Sequence, residues 1–190
     1  MLYPHVKRLK QARVLRVCRK IHRATGACLF IFFFIIAVTG LLLGWKKNSR
    51  GILLATSQQG QSTDPAKWLS VERLTDKAIH YLATEVDSSL SATVDRIDFR
   101  PDKGMVKFLF TDHFTALQLD AATGALLHIE KRRADYIEKI HDGSIVDHYL
   151  NIPTGSFKLI YTSVMALALL IFTITGFWLW YGPKRMRAGK

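Results

Sequence analysis

Two long stretches without a charged residue constrain this chain more than any other feature. Ala24–Trp45 has 22 residues and Leu159–Tyr181 has 23. At 1.5 Å per residue, either stretch makes a helix of roughly 33 Å, which spans a hydrocarbon core of about 30 Å. Aromatic residues typical of the membrane interface stand near their ends, namely Trp45, Tyr161, Trp178, Trp180 and Tyr181. The sequence therefore predicts two transmembrane helices, at residues 24–45 and 157–181.

The first stretch is predicted to be an uncleaved anchor. Its apolar core is longer than that of a secretory signal peptide, and no small-x-small cleavage site follows it. The chain leaves it through Gly44-Trp45-Lys46-Lys47.

The distribution of charge predicts the orientation. The net charge is +12, yet eight Lys or Arg lie in residues 1–23 and four in residues 182–190, with no acid in either segment. Residues 46–156 are nearly neutral. Basic residues beside apolar stretches favour the cytoplasmic side, so we expect two cytoplasmic tails and a periplasmic segment 46–156. We expect membrane lipid, and not nucleic acid, to be the partner of the basic residues.

The segment between the two stretches predicts an α+β domain. Residues 46–67 are rich in Ser, Gly and Gln and predict a linker. In residues 68–130, Ser70 is a plausible cap for a helix to about Glu85. Alternating apolar residues then predict strands, separated by turns at 101–104 and 121–124. Residues 131–156 predict an amphipathic helix, broken near Gly143, and a return loop. The expected fold is a helix on a small antiparallel sheet between two membrane helices.

Several motifs, in this order, resemble those of PepSY-associated transmembrane proteins. They are Arg19-Lys20-Ile21-His22-Arg23 before a span with Thr39-Gly40, the strand and turn Leu119–Leu126, Ile140-His141-Asp142-Gly143, and Thr175–Trp180 before Pro183-Lys184-Arg185. The resemblance implies a bacterial inner-membrane protein with a PepSY-like domain at 68–130. Larger relatives have four or more spans, and some resemble haem-binding reductases of ferric siderophores. This chain resembles half of such a reductase, which implies a homodimer or a complex with another membrane protein.

The same resemblance makes three histidines candidate ligands of haem b. His22 borders the first span on its cytoplasmic side, whereas His141 lies on the far side, so the two cannot share one iron. Each site then needs a second ligand, which the same residue of another copy could supply. His148 is a further candidate, because seven residues separate it from His141 and the two could share a helical face. Gly143 could let a flat ring approach closely.

Plainer roles for these residues stay open. His22 stands among Arg19, Lys20 and Arg23 and could contact only phosphate headgroups. Asp142 and Asp147 could orient the His141 ring, or only solvate the loop.

Two glycines in the first span form a small-xxx-small motif. Gly40 and Gly44 would let another helix approach closely, either the second span or a second copy of the chain. The sequence contains no nucleophile–base pair and no metal-ligand spacing such as HExxH, so it predicts no catalytic residue.

Two functions are therefore compatible with the sequence. The preferred one is a subunit of a haem-dependent assembly that carries electrons across the membrane, similar to a ferric-siderophore reductase. The alternative is non-enzymatic, with the PepSY-like domain as a tethered interaction module or an accessory part of a transporter or protease-regulating complex.

Overall fold

Two long helices begin and end the structure. The computed structural model describes residues 4–188, so residues 1–3 and 189–190 of the predicted tails lie outside it. Helix α1 is Pro4–Trp45 and helix α5 is Ser156–Ala188, and both are long and apolar enough to cross a membrane. In each case the helix of the span continues into the basic tail as far as the structure describes it, and helix α5 does so through Pro183.

The chain divides into two compact units. Residues 1–38 and 141–190 form one, which we call the helical unit, and residues 39–140 form the other, the sheet unit.

The sheet unit contains the predicted helix and meander. Helix α2 is Val71–Tyr81, and the Ser70 hydroxyl caps it by accepting from the Arg73 amide at 3.4 Å. A wider π-helical turn follows at Leu82–Val86. The helix was predicted to continue to about Glu85, but its regular α-helical part ends at Tyr81. The strands are β1 (Val94–Arg100), β2 (Met105–Phe110), β3 (Thr115–Asp120) and β4 (Leu126–Lys131). They pair antiparallel in the order β1-β2-β3-β4, as the alternation predicted.

One face of the sheet packs against α2. Alternation along β2 and β3 puts their phenylalanines and the leucines of β3 on this face, and Phe108 lies directly opposite Leu117. Leu74, Ala78 and Leu82 of α2 and its following turn are equally buried. The fully buried members of this core are Leu74, Ala78, Leu82, Val106, Phe108, Phe110, Leu117, Leu119 and Ala121.

The opposite face of the sheet is polar and yet also buried. Gln118 and Glu130 are 0% and 3% exposed. The Gln118 amide donates to Glu130 at 3.2 Å, and the Lys107 ammonium pairs with Glu130 at 2.6 Å. The backbone amide of Gln58 donates to the Gln118 side-chain oxygen at 2.9 Å. The segment predicted as a linker therefore hydrogen-bonds to this face, and buried polar groups with partners avoid the cost of lost hydration.

Two short helices follow the sheet. Helix α3 is Arg133–His141 and helix α4 is Ser144–Tyr149. Gly143 separates them with a φ of +79°, which confirms the predicted break. Left-handed backbone of this kind strains any residue with a Cβ.

Candidate functional site

Within the helical unit, α1 and α5 contact each other through residues three or four apart on each helix. A Cβ added at Gly26 would lie 3.2 Å from Phe172, and one added at Gly182 would collide with Leu15. The most buried α5 residues on this face are Met165, Ala168, Thr175 and Gly182. Their spacing is that of one helix face turned toward a partner helix. Small residues let the two helices approach, as is usual in membranes.

His22 lies in this contact and is fixed by two α5 residues. Its Nδ1 is 3.0 Å from the Thr175 hydroxyl oxygen. Its ring stacks on Phe172 with 3.8 Å between centroids and 27° between planes. A Cβ added at Gly176 would lie 3.4 Å from the ring. The imidazole is therefore held from one edge and one face.

The hydrogen bonds of Thr175 assign the tautomer of His22. The Thr175 hydroxyl lies 2.7 Å from the carbonyl oxygen of Ile171 in the preceding turn. A carbonyl only accepts, so it takes the single hydroxyl proton, and the Thr175 oxygen must accept from His22. The neutral imidazole then carries its proton on Nδ1. In that neutral form Nε2 has the lone pair, and among the described residues the printed hydrogen bond of the ring is the one at Nδ1.

This arrangement adds a partner helix to the expected environment of His22. The sequence placed the residue at the border of the first span, among headgroup-binding cations. The contact with α5 puts it level with Thr175, six residues or about 9 Å inside the end of the second uncharged stretch. The border position was inferred from the first stretch alone, and the structure adds Thr175 of the partner helix at the same level.

A second cluster joins α4 to the start of α5. Both carboxylate oxygens of Asp147 accept backbone hydrogen bonds, from Phe157 at 3.0 Å and Lys158 at 2.8 Å. Asp147 is 7% exposed. It therefore caps the N-terminus of α5, where free amides and the helix dipole favour a negative charge.

Asp142 stabilises the same corner. Its carboxylate pairs with the Lys158 ammonium at 2.6 Å and accepts from the Ser144 amide at 2.9 Å. Burial alone would raise the pKa of Asp142, but the bonds from Lys158 and Ser144 outweigh it, so the pKa lies below its ordinary value. Both aspartates therefore have structural partners at the start of α5. The sequence alone could not distinguish this structural role from a role beside His141.

The ring that approaches Gly143 is that of Tyr161. A Cβ added at Gly143 would lie 2.7 Å from Cδ1 of this ring. The prediction that Gly143 lets a haem ring approach stays a prediction, and in the structure the side chain of Tyr161 lies in this space. The expectation that His141 and His148 share a helical face is wrong, because they lie on α3 and α4, on either side of the turn at Gly143.

His22 and His141 lie near opposite ends of α5. His22 contacts Thr175, whereas Asp142, next to His141, pairs with Lys158. Seventeen residues of helix separate Thr175 from Lys158, or about 26 Å. One iron cannot bind both histidines. His141 and His148 are each half-buried.

Of the two glycines in the predicted helix-packing motif, Gly44 is exposed and Gly40 is half-buried. No described atom lies within 4 Å of a Cβ added at Gly44. This position leaves room for a helix of another chain.

We expect Asp147→Ala to destabilise the protein by about 1–2 kcal/mol, because it removes both acceptors that cap α5. Asp147→Asn keeps one acceptor oxygen and should lose less. Thermal unfolding in detergent would measure both. A loss in the alanine variant no larger than that of Asp112→Asn, an exposed carboxylate change, would contradict the capping role.

Sequence reasoning missed Thr175, Phe172 and Gly182 as members of the candidate site. The Thr-Gly pair was visible as a motif, but its partner on α1 was not. One signal was available, since Phe172, Thr175, Leu179 and Gly182 recur at intervals of three and four residues.

Comparison with known proteins agrees with this architecture. The model of the PepSY-associated TM region family matches residues 19–190. No curated protein and no solved structure matches the chain. The match includes both apolar helices, the sheet and the His22–Thr175 contact. The chain is therefore a membrane protein and belongs to the PepSY-associated TM region family.

Proposed function

We propose that this protein is a subunit of a haem-dependent electron-transfer assembly of the bacterial inner membrane, of the kind that reduces ferric siderophores. The observation that carries the proposal is the geometry of His22. A haem-ligating histidine is neutral, presents one nitrogen to the iron, and commonly donates the other N–H to a fixed acceptor. The Nδ1–H donated to Thr175 and the Nε2 lone pair fit this requirement.

Haem b, when bound, supplies the ability to accept and release one electron at a time. The residues of this chain fix how it can bind. Phe172 and Thr175 restrict rotation of the His22 ring, so the direction of its Nε2 is set before any ligand arrives. Preorganisation of this kind reduces the entropy lost on binding.

The proposal includes a homodimer. One chain offers one histidine in the contact between its two helices, and a second copy related by a two-fold axis would offer another. The open space around Gly44 supports close approach of another helix. His141, with His148 as the alternative, is the proposed ligand of a second haem at the other end of α5.

The proposed orientation puts both termini in the cytoplasm and residues 46–156 in the periplasm. It is supported by the eight basic residues in residues 1–23 and the four in residues 182–190.

Absorbance tests this proposal. We expect protein purified in detergent from haem-replete cells to show a Soret band and, after dithionite reduction, sharp α and β bands. His22→Ala should abolish one haem, because no other described side chain occupies that position. His128→Ala, at an exposed position in β4, is the matched control and should keep full haem content. A colourless wild-type preparation would contradict the haem model.

A second pair of variants tests the hydrogen bond itself. Thr175→Val keeps the shape of the side chain and removes the acceptor of the His22 proton, so haem affinity should fall about 10- to 100-fold. Thr173→Val is its control, since the Thr173 hydroxyl is exposed and bonds to Leu169 of its own helix. Equal haem affinity in the two variants would exclude an orienting role for Thr175.

One observation favours the non-enzymatic alternative, an interaction module for a transporter or protease-regulating complex. The sheet unit has a cavity of about 350 Å³ with cations around an apolar floor. Its lining residues are Leu53, Phe114, Lys131, Arg132, Arg133, Tyr136 and Ile137. A haem-free protein that copurifies with one partner, and loses it on Arg133→Glu, would favour this function.

A further inference from the structure

We infer that α1 carries a binding site for one anionic phospholipid, on an exposed helix face beside its contact with α5. This site is separate from the proposed haem ligand and does not depend on it. Its lining residues are Arg16, Arg19, Lys20, Arg23, Ala24 and Ala27, around a groove of about 450 Å³.

Charge is the first argument for this site. Residues at i, i+3, i+4 and i+7 lie on one helix face, so the four cations form a single patch. All four are exposed. Residues 1–45 contain no acidic side chain that could neutralise them. Four adjacent like charges repel one another, and a bound anion would relieve this repulsion.

Shape is the second argument. Directly beyond the cations along the helix, Ala24 and Ala27 leave a recess because their side chains are short. Large exposed side chains resume one turn later, with Phe30 at 62% and Phe34 at 67% exposure. The groove is therefore bounded by cations at one end and by aromatic rings at the other.

This order matches the order of groups in a phospholipid. A phosphate at Arg16–Arg23 would place the glycerol backbone beside Ala24 and Ala27, and the acyl chains against Phe30 and Phe34. Guanidinium groups bind phosphate oxygens in paired hydrogen bonds. Free phosphate would use only the first part of the groove, so the apolar part favours a lipid.

The contact with α5 uses a different face of α1. The α1 residues that contact α5 include Leu15, His22 and Gly26, and they lie roughly a quarter of a turn from the centre of the patch. His22 therefore turns toward α5 while its basic neighbours turn outward.

Native mass spectrometry of the detergent-purified protein tests the site. Each cation near an anionic surface strengthens binding about fivefold. We therefore expect wild type to bind phosphatidylglycerol at least tenfold more tightly than phosphatidylcholine. R16Q/R19Q/K20Q/R23Q should reduce this preference to under twofold. The control R8Q/R13Q/R185Q/R187Q removes four charges from the same ends of the helices and should keep the preference.

A second variant separates shape from charge. A24L/A27L fills the recess without changing charge, and we expect it to weaken phosphatidylglycerol binding at least threefold. A37L adds the same kind of bulk at an exposed position of α1 and should have no effect. Circular dichroism would confirm that all variants keep their helices.

Three results would each overturn the inference. One is equal binding of the two lipids by wild type. Another is an equal loss of lipid preference in the two quadruple variants, which would indicate that total charge, and not a specific site, determines binding. The last is full displacement of the lipid by millimolar inorganic phosphate, which would indicate a phosphate site with no role for the acyl chains.

Discussion

Replacing Asp120 with Ala should lower the free energy of unfolding of the sheet unit by about 3 kcal/mol or more. We expect this loss to be the largest for a single polar substitution in the unit. The Asp120 carboxylate is 1% exposed and accepts three backbone hydrogen bonds, from Gln61 at 2.6 Å, Ala122 at 2.8 Å and Thr123 at 3.0 Å. Bonds to a charged acceptor stabilise by about 1.5–3 kcal/mol each, and the substitution removes the shared acceptor of all three amides. The effect is large because one side chain joins the β3–β4 turn to the backbone of Gln61.

The pH dependence follows from the same contacts. Burial alone would raise the pKa of Asp120, but the bonds from Thr123, Gln61 and Ala122 outweigh it, so the pKa lies below the ordinary 3.8. A lowered pKa contributes stability that is present above pH 3.8 and is lost as the pH falls through the folded-state value. Wild type should therefore exceed Asp120→Asn in free energy of unfolding by the largest amount at pH 7. This difference should become smaller at pH 3.

Hydrogen exchange of the full chain in detergent would measure this effect locally. We expect the amides of Gln61, Ala122 and Thr123 to exchange at least 100-fold faster in Asp120→Ala. Asp112→Asn is the control, since Asp112 is exposed in the β2–β3 loop. Exchange unchanged at Gln61 would show that the segment before α2 does not depend on this carboxylate.

Replacing Gly143 with Ala should destabilise the helical unit by about 3 kcal/mol, through two separate costs. The φ of +79° strains a residue with a Cβ by about 1–2 kcal/mol. The added carbon would also lie 2.7 Å and 2.8 Å from Cδ1 and Cγ of Tyr161, closer than a Cβ atom comes to its neighbours in real proteins. These ring atoms are close to the α5 backbone and cannot turn aside, so helix α4 and helix α5 would have to separate.

Gly155 provides a matched control for this prediction. Its φ is +61°, and no described atom lies within 4 Å of an added Cβ. Gly155→Ala therefore carries the strain without the collision. Thermal unfolding in detergent should show a loss of about 6–12 °C for Gly143→Ala and a clearly smaller one for Gly155→Ala. Equal losses would mean that contact with Tyr161 has no part in the role of Gly143.

A double variant measures the contact directly. Tyr161→Ala removes the ring that the methyl group introduced by Gly143→Ala would meet. If the collision dominates, Gly143→Ala in the Tyr161→Ala background should cost little more than the backbone strain. The effects of Gly143→Ala in the two backgrounds should then differ by about 1 kcal/mol or more, which is the coupling energy. Strict additivity would contradict the proposed packing.

The sequence predicted the elements of this fold well, because each has a local cause. Membrane helices follow from the absence of charge over 22 or 23 residues. Strands β2 and β3 follow from strict alternation, and the end of α3 follows from Gly143. Ser70 was identified as a cap because capping depends on the residue and its immediate neighbours.

The candidate site depends on longer-range pairing, and the sequence could name only one side of it. His22 was a candidate from its position near a span, but its partner Thr175 is 153 residues away in the chain. No periodicity reports such a pairing. The roles of Asp142 and Asp147 were open for the same reason, since their partners belong to α5.

The sequence by itself determined that this protein has two membrane helices and an α+β unit between them, because hydropathy and alternation are properties of short segments. Tertiary structure alone decided which side chains those helices bring together. It turned His22 toward Thr175 and left its basic neighbours exposed, and it filled the space beside Gly143 with Tyr161. The physical reason is that hydrogen bonds and close packing require two surfaces, and only folding brings the second surface within reach.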